Sequence, residues 1–345
     1  MKEIVEIYDI TPFNDVYYKN CLYNPLLTGI YFCKGNIVPF LSNDFFTYDF
    51  NKDEQLMIGY VACKPETELI EEMGIGISPV LDKSDYVKAI KNSIENNTPV
   101  FIPIDRYFWT DPIYNQGFNN NMHMAHFFLV YGYDDNKKEF MVIDVDDNGD
   151  GCYKNRIEYE ELIDSYNGFC KCIETKGFLS GDELRMIRLQ KAVSFNKESY
   201  STKVHAEIFK KNFIHKKICI SEGLENLKRA REYYSENYFI NYFKEISQLP
   251  FELRDTYISK IINPFFGIER AKIVQAYQAY KLFDSYDNIY QIPKKVLHHF
   301  MLLKNCILKM LYTQNYDKLI LSINENLDQI YQLENDYLVE IESMI

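Results

Sequence analysis

The sequence has no apolar run approaching the ~20 residues that span a bilayer, so no membrane association is expected. Its eight cysteines contain no CxxC pair, which removes zinc-ribbon and thioredoxin readings. Basic residues are outnumbered: 38 Lys and Arg against 50 Asp and Glu leave a net charge of −12. Nucleic-acid binding, which relies on cations to neutralise phosphates, is therefore not expected, whereas a cationic small partner is compatible. The first residues, Met1 to Glu6, mix both charges and lack the apolar core of a signal peptide, so the expected location is cytoplasmic. There the cysteines stay reduced. His205, His215 and the pair His298-His299 fall on expected helices without the i, i+4 spacing of ligands, and no metal or cofactor is expected.

Glycine and proline are scarce in the second half. After residue 181 the chain has only Gly223, Gly267, Pro250, Pro264 and Pro293, of 14 Gly and 11 Pro in all. Helix interiors tolerate few of either, whereas sheets and turns need them. The chain thus reads as an α+β domain with an antiparallel sheet over 1–180, followed by an all-helical domain over 181–345. Helices are predicted at about 182–193, 200–216, 219–236, 238–247, 251–262, 266–283, 292–313 and 316–343 from apolar spacing.

In the first half, Val100–Ile104 reads as a strand and Ser84–Asn96 as a helix with Val87, Ile90 and Ile94 on one face. Phe127–Tyr131 and Glu139–Ile143, separated by the turn-forming Gly132-Tyr133-Asp134-Asp135-Asn136, read as a hairpin. Cys170-Lys171-Cys172 reads as alternation in an amphipathic strand. Asp144 to Gly151 resembles half of a calcium-binding EF-hand loop, but Asn155 stands where the closing Glu belongs, so a turn is the better reading.

Three positions carry chemistry. Cys21 opens an expected helix, Cys21–Tyr31, where unpaired backbone N–H groups and the helix dipole favour a thiolate. His126 is the first residue of the apolar hairpin strand, and Asp144 ends its partner strand. Antiparallel pairing makes these two neighbours, so that the carboxylate can orient the imidazole. His123 is the alternative base, but His126 leads into the strand without a break.

The order resembles a known group: a helix-opening Cys in Asn20-Cys21-Leu22-Tyr23-Asn24, the stretch Pro99 to Asp105, then His126 through Asp144. It is similar to the papain-like fold in its C39-peptidase form, and more closely to the butirosin-biosynthesis H-type acyltransferases. Arg156 to Leu162 is similar to the short helix that follows the Asp strand in that group. The resemblance covers about residues 10–180. It implies a papain-like domain in which Cys21 is the nucleophile, His126 the acid/base and Asp144 the orienter. Members take an acyl chain from the phosphopantetheine thioester of a carrier protein and pass it to an amine, such as a polyamine, a diamine or an aminoglycoside, in antibiotic biosynthesis. Polythioamide assembly of the closthioamide kind belongs to the same chemistry.

One departure matters. Papain-like peptidases place a Gln before the Cys as an oxyanion donor, and no Gln precedes Cys21. Asn20, Asn14 and Tyr18 are the candidates to replace it, beside the Cys21 N–H. Asp105, Trp109 and Asp111 are candidates for binding the amine. The basic run Lys210, Lys211, Lys216 and Lys217 is the candidate docking face for an acidic carrier protein. Two rival readings are a C39-type cysteine peptidase and a non-catalytic C39-like domain that binds a peptide.

Overall fold

The structure is a computed structural model, and it describes residues 3–51, 55–80, 85–110, 120–145, 151–174, 187–190, 201–234, 236–283, 287–313 and 316–345. In chain order the elements are β1 (Ile4–Glu6), α1 (Tyr23–Phe32), α2 (Val38–Asn43), β2 (Asp44–Phe50), β3 (Leu56–Ala62), α3 (Glu66–Glu72), β4 (Gly76–Pro79), α4 (Tyr86–Glu95), β5 (Val100–Asp105), a 3-10 turn (Arg106–Phe108), β6 (Ala125–Asp134), β7 (Glu139–Val145) and β8 (Cys152–Glu158). They continue with α5 (Tyr159–Glu174), β9 (Ile187–Gln190), α6 (Thr202–Tyr233), α7 (Glu236–Gln248), α8 (Phe251–Leu282), α9 (Asp287–Thr313) and α10 (Tyr316–Ser343). The protein is α+β, with an antiparallel sheet and a C-terminal helical region. Among the described residues no helix is long and apolar enough to cross a membrane.

Two compact units form, and their boundary differs from the one read in the sequence. The first comprises Met1–Ile37 and Pro65–Ser199; the second comprises Val38–Lys64 and Tyr200–Ile345. The segment 38–64 therefore leaves the N-terminal half and folds with the helices.

The first unit is built on a sheet ordered β4-β9-β5-β6-β7-β8, with β1 pairing on β6. Its central strands are apolar on both faces. Val100, Phe101, Ile102, Phe128, Leu129, Val130, Phe140, Val142 and Ile143 are all fully buried, which explains their unbroken apolar runs. The expected hairpin is β6–β7, with Leu129 opposite Ile143 and Val130 opposite Val142. The register then shifts between Val130 and Gly132, a bulge that accommodates one extra residue. Helix α4 is capped by Asp85, whose side chain accepts the Lys88 N–H at 2.9 Å.

Two expectations change here. Residues 187–190 form strand β9 and not part of a helix, because Ile187 and Leu189 alternate into the core and pair with β4 and β5. Cys170 and Cys172 lie on helix α5 and not on a strand: Leu162, Tyr166 and Phe169 are buried at helical steps, which sets the period.

In the second unit the hairpin β2–β3 joins six helices among the described residues, α2 and α6 to α10. Fewer and longer helices occur than expected: 200–216 and 219–236 merge into α6, and 251–262 and 266–283 merge into α8, which continues through Pro264. Phe45 of β2 packs on Phe209 and Phe213 of α6 at ring separations of 4.9 and 6.2 Å. Polar ties add direction. Tyr48 O–H donates to Glu334 at 2.6 Å, the Tyr234 hydroxyl oxygen accepts the Leu56 N–H at 2.9 Å, and Gln278 Nε2 donates to the carbonyls of Leu41 and Asp44. Glu334 also takes the buried ammonium of Lys272 at 2.5 Å. His205 and His299 are structural, bonded to Ser42 and Asn326 at 2.9 Å each.

Candidate active site

The segment before α1 is held by one buried side chain. Asn24 Oδ1 accepts the Tyr18 N–H at 2.8 Å, and Asn24 Nδ2 donates to the carbonyls of Val16 and Phe13 at 2.9 and 3.2 Å. Asn20 then turns the chain: its Oδ1 accepts the Leu22 N–H at 2.9 Å and its carbonyl accepts that of Tyr23. Helix α1 begins at Tyr23, so Cys21 sits two residues ahead of it, at the positive end of the helix dipole. Its thiol is only partly covered, although an unpaired cysteine of this kind is more often sealed in a core.

His126 and Asp144 meet through the hairpin register. Asp144 stands two residues from the position opposite His126, a diagonal placement on one face that long side chains can bridge. His126 Nε2 donates to Asp144 Oδ1 at 2.6 Å. The carboxylate is fully buried and held by two further donors, the Val145 N–H at 2.6 Å and the Tyr153 hydroxyl at 2.8 Å. Cys21 is the other hydrogen-bond partner of the ring.

Burial alone would disfavour a charged ring at His126. That cost is outweighed by the Asp144 charge, the charge of the Cys21 sulfur, and hydrogen bonds to both, which together raise its pKa from 6.5 to about 10. The imidazole is 2% exposed. Trp109 lies parallel to it at 6.0 Å and Phe128 meets it edge-on at 5.4 Å, while Arg106 sits over Trp109. Aromatic walls on the ring keep water from the Nε2–Oδ1 bond.

The remaining candidates are distributed as follows. Asn14 binds both the Cys152 carbonyl and the Cys152 N–H, so its amide is committed to β8 and not to an oxyanion. Tyr18 is buried and packs its ring against Tyr23 at 5.4 Å. Asn20 is exposed beside Cys21. Trp109 is 2% exposed and lines the imidazole, so it does not present an open face to an amine. Asp105 is fully buried: its Oδ1 accepts the N–H groups of Tyr107 and Met124 at 3.1 Å each, and its Oδ2 accepts His123 Nδ1 at 2.6 Å. It is thus engaged within the protein and not an exposed anchor. Asp111 and the residues 146–150 of the EF-hand-like stretch lie outside the described residues. His123, the alternative base, belongs to the Asp105 cluster and not to Cys21.

That second cluster was not legible in the sequence. Cys172 lies beside Asp105 Oδ2 at 3.7 Å, yet it is 49 positions along the chain from His123. Only the packing of α5 on β5 brings it there.

Neither a scan against protein-family models nor a search of curated proteins finds a match to this chain.

Proposed function

We propose that the protein is an amide-forming acyltransferase of the papain-like, C39-related type. It would carry an acyl chain on Cys21 between a carrier-protein phosphopantetheine thioester and a small amine. The observation that carries this reading is the His126 ring, with Asp144 on Nε2, the Cys21 sulfur on its other side, and its pKa raised to about 10 by both.

The chemistry follows from that arrangement. The Cys21 thiolate attacks the thioester carbonyl, and the imidazolium of His126 protonates the departing pantetheine sulfur. Acylation removes the sulfur charge and its hydrogen bond, two of the influences that hold the ring proton. The ring is thereby left neutral when a base is needed. The amine then attacks acyl-Cys21, His126 accepts its proton, and the Cys21 thiolate leaves, restoring the starting ion pair. The Cys21 N–H and Asn20 Nδ2 are the proposed oxyanion donors. A thioester is already activated and asks less of them than a peptide bond does, which agrees with the missing Gln. Trp109 shields the imidazole and disfavours hydrolysis of the intermediate.

The net charge of −12 favours a cationic acceptor of the polyamine, diamine or aminoglycoside class. The proposed carrier-docking lysines lie on α6. Lys210 and Lys217 are paired with Glu207 and Glu342, which directs any docking role to Lys211 and Lys216.

Intact-mass spectrometry after incubation with an acyl pantetheine thioester tests the proposal. One acyl adduct is expected on the wild type and none on Cys21→Ala, and a diamine should discharge the adduct as an amide. Turnover of peptides without any amine acceptor would instead favour a C39-type peptidase. The absence of any adduct would leave the peptide-binding reading.

A further inference from the structure

Asp105, His123 and Cys172 offer three different donor atoms, all within 4.8 Å of one another. They lie one register position away from the proposed active site, since Ile104 pairs with His126 and Asp105 with Ala125. They share no residue with it.

The hydrogen bond from Cys172 to Asp105 favours a ligand set over a second nucleophile. A nucleophilic cysteine sits beside an imidazole, which supplies positive charge. Here Cys172 sits beside the Asp105 carboxylate, its Sγ 3.7 Å from Oδ2. An anion next to an incipient anion is unfavourable unless a cation lies between them.

The surroundings are those of a ligand shell. Asp105 uses one oxygen, Oδ1, for two backbone N–H groups and turns the other, Oδ2, to His123 and Cys172. Such outer hydrogen bonds are what orient a ligating carboxylate. His123 is aligned by Tyr107, whose ring stacks on it at 4.4 Å and 18°.

We propose that Asp105 Oδ2, His123 Nδ1 and Cys172 Sγ form a binding site for a divalent transition-metal ion of the zinc class, with a further coordination position open to water.

Bonds of about 2.0–2.3 Å at tetrahedral angles separate donor atoms by about 3.3–3.7 Å. The Sγ to Oδ2 distance of 3.7 Å already fits. The Nδ1 to Oδ2 distance of 2.6 Å must widen, and the His123 side chain, 53% exposed, has room to do so. On binding, Cys172 gives its thiol proton to solvent, and the ring proton of His123 passes from Nδ1 to Nε2, freeing Nδ1 for the metal. The cation then joins α5 to both ends of the chain segment 106–122, whose Trp109 lies over His126.

Cobalt(II) titration of the reduced, untagged protein, in a Cys21→Ala background that removes the proposed nucleophile, is the test. One equivalent is expected to produce a near-ultraviolet sulfur-to-cobalt charge-transfer band, displaced by zinc. Cys172→Ala should abolish the band. His123→Ala, at a half-exposed position that does not threaten folding, should weaken cobalt binding at least about tenfold. Cys170→Ala should leave the band intact. No band at stoichiometric cobalt, or a band that survives both Cys172→Ala and His123→Ala, would overturn the proposal.

Discussion

At the scale of single residues, the behaviour of His126 follows from two neighbours. With both present its ring titrates at about 10, so it is protonated at neutral pH and loses its proton only as the pH rises through that value. Carbon-detected NMR of the labelled imidazole should place the midpoint there. Asp144→Asn keeps a hydrogen-bonding group but removes the charge, and should lower the midpoint by about 1–3 pH units. The same substitution should slow acylation by about 10²–10⁴-fold. A midpoint near 6.5 in the wild type would show that Cys21 and Asp144 do not act on the ring. His126 and Asp144 could be paired from the sequence because hairpin pairing is a local rule: the turn brings the start of one strand to the end of the next. The Asp105–His123–Cys172 cluster obeys no local rule. It needs the helix α5 to lie on β5, and with Cys172 read as part of a strand, its neighbours could not be anticipated.

At the scale of elements, two glycines in long helices of the second unit call for opposite outcomes. Alanine is favoured over glycine inside a helix by about 0.5–1 kcal/mol. At Gly267 in α8 an added Cβ meets nothing within 4 Å, so Gly267→Ala should raise stability by about that amount. At Gly223 in α6 the Cβ would fall 2.1 Å from Thr47 Oγ1 and 2.7 Å from the Tyr48 N, a backbone atom that cannot swing aside. Gly223→Ala should therefore destabilise by about 1–3 kcal/mol despite the same propensity gain. Urea denaturation of the two variants decides, and equal signs would contradict the packing of α6 on β2. Element type was legible wherever the apolar period was long, as in α10, α4 and the β6–β7 hairpin. It failed at 187–190, where two apolar residues in four suit a strand and a helix alike. Proline also misled: Pro264 and Pro293 lie inside α8 and α9 without ending them.

At the scale of the whole molecule, the units are interleaved in sequence. Composition marked the change from mixed to helical near residue 181, but it could not reveal that 38–64 belongs with the helices, because a β-hairpin looks the same whichever core it joins. Within the second unit this hairpin buries Phe45, Tyr48, Leu56 and Ile58. A chain truncated after Ser199 would leave those side chains without α6, α8 and α10 to cover them. It should be insoluble or bind a hydrophobic dye strongly, whereas the full chain should not; a soluble, monomeric 1–199 fragment would argue against the division. The same arrangement sets a demand on biosynthesis. About 136 residues separate the end of the hairpin segment from the start of its helical partners, so at 5–20 residues per second the ribosome exposes a sticky, orphaned ribbon for roughly 7–27 s. The nascent polypeptide should therefore be a client of ribosome-associated chaperones during that interval.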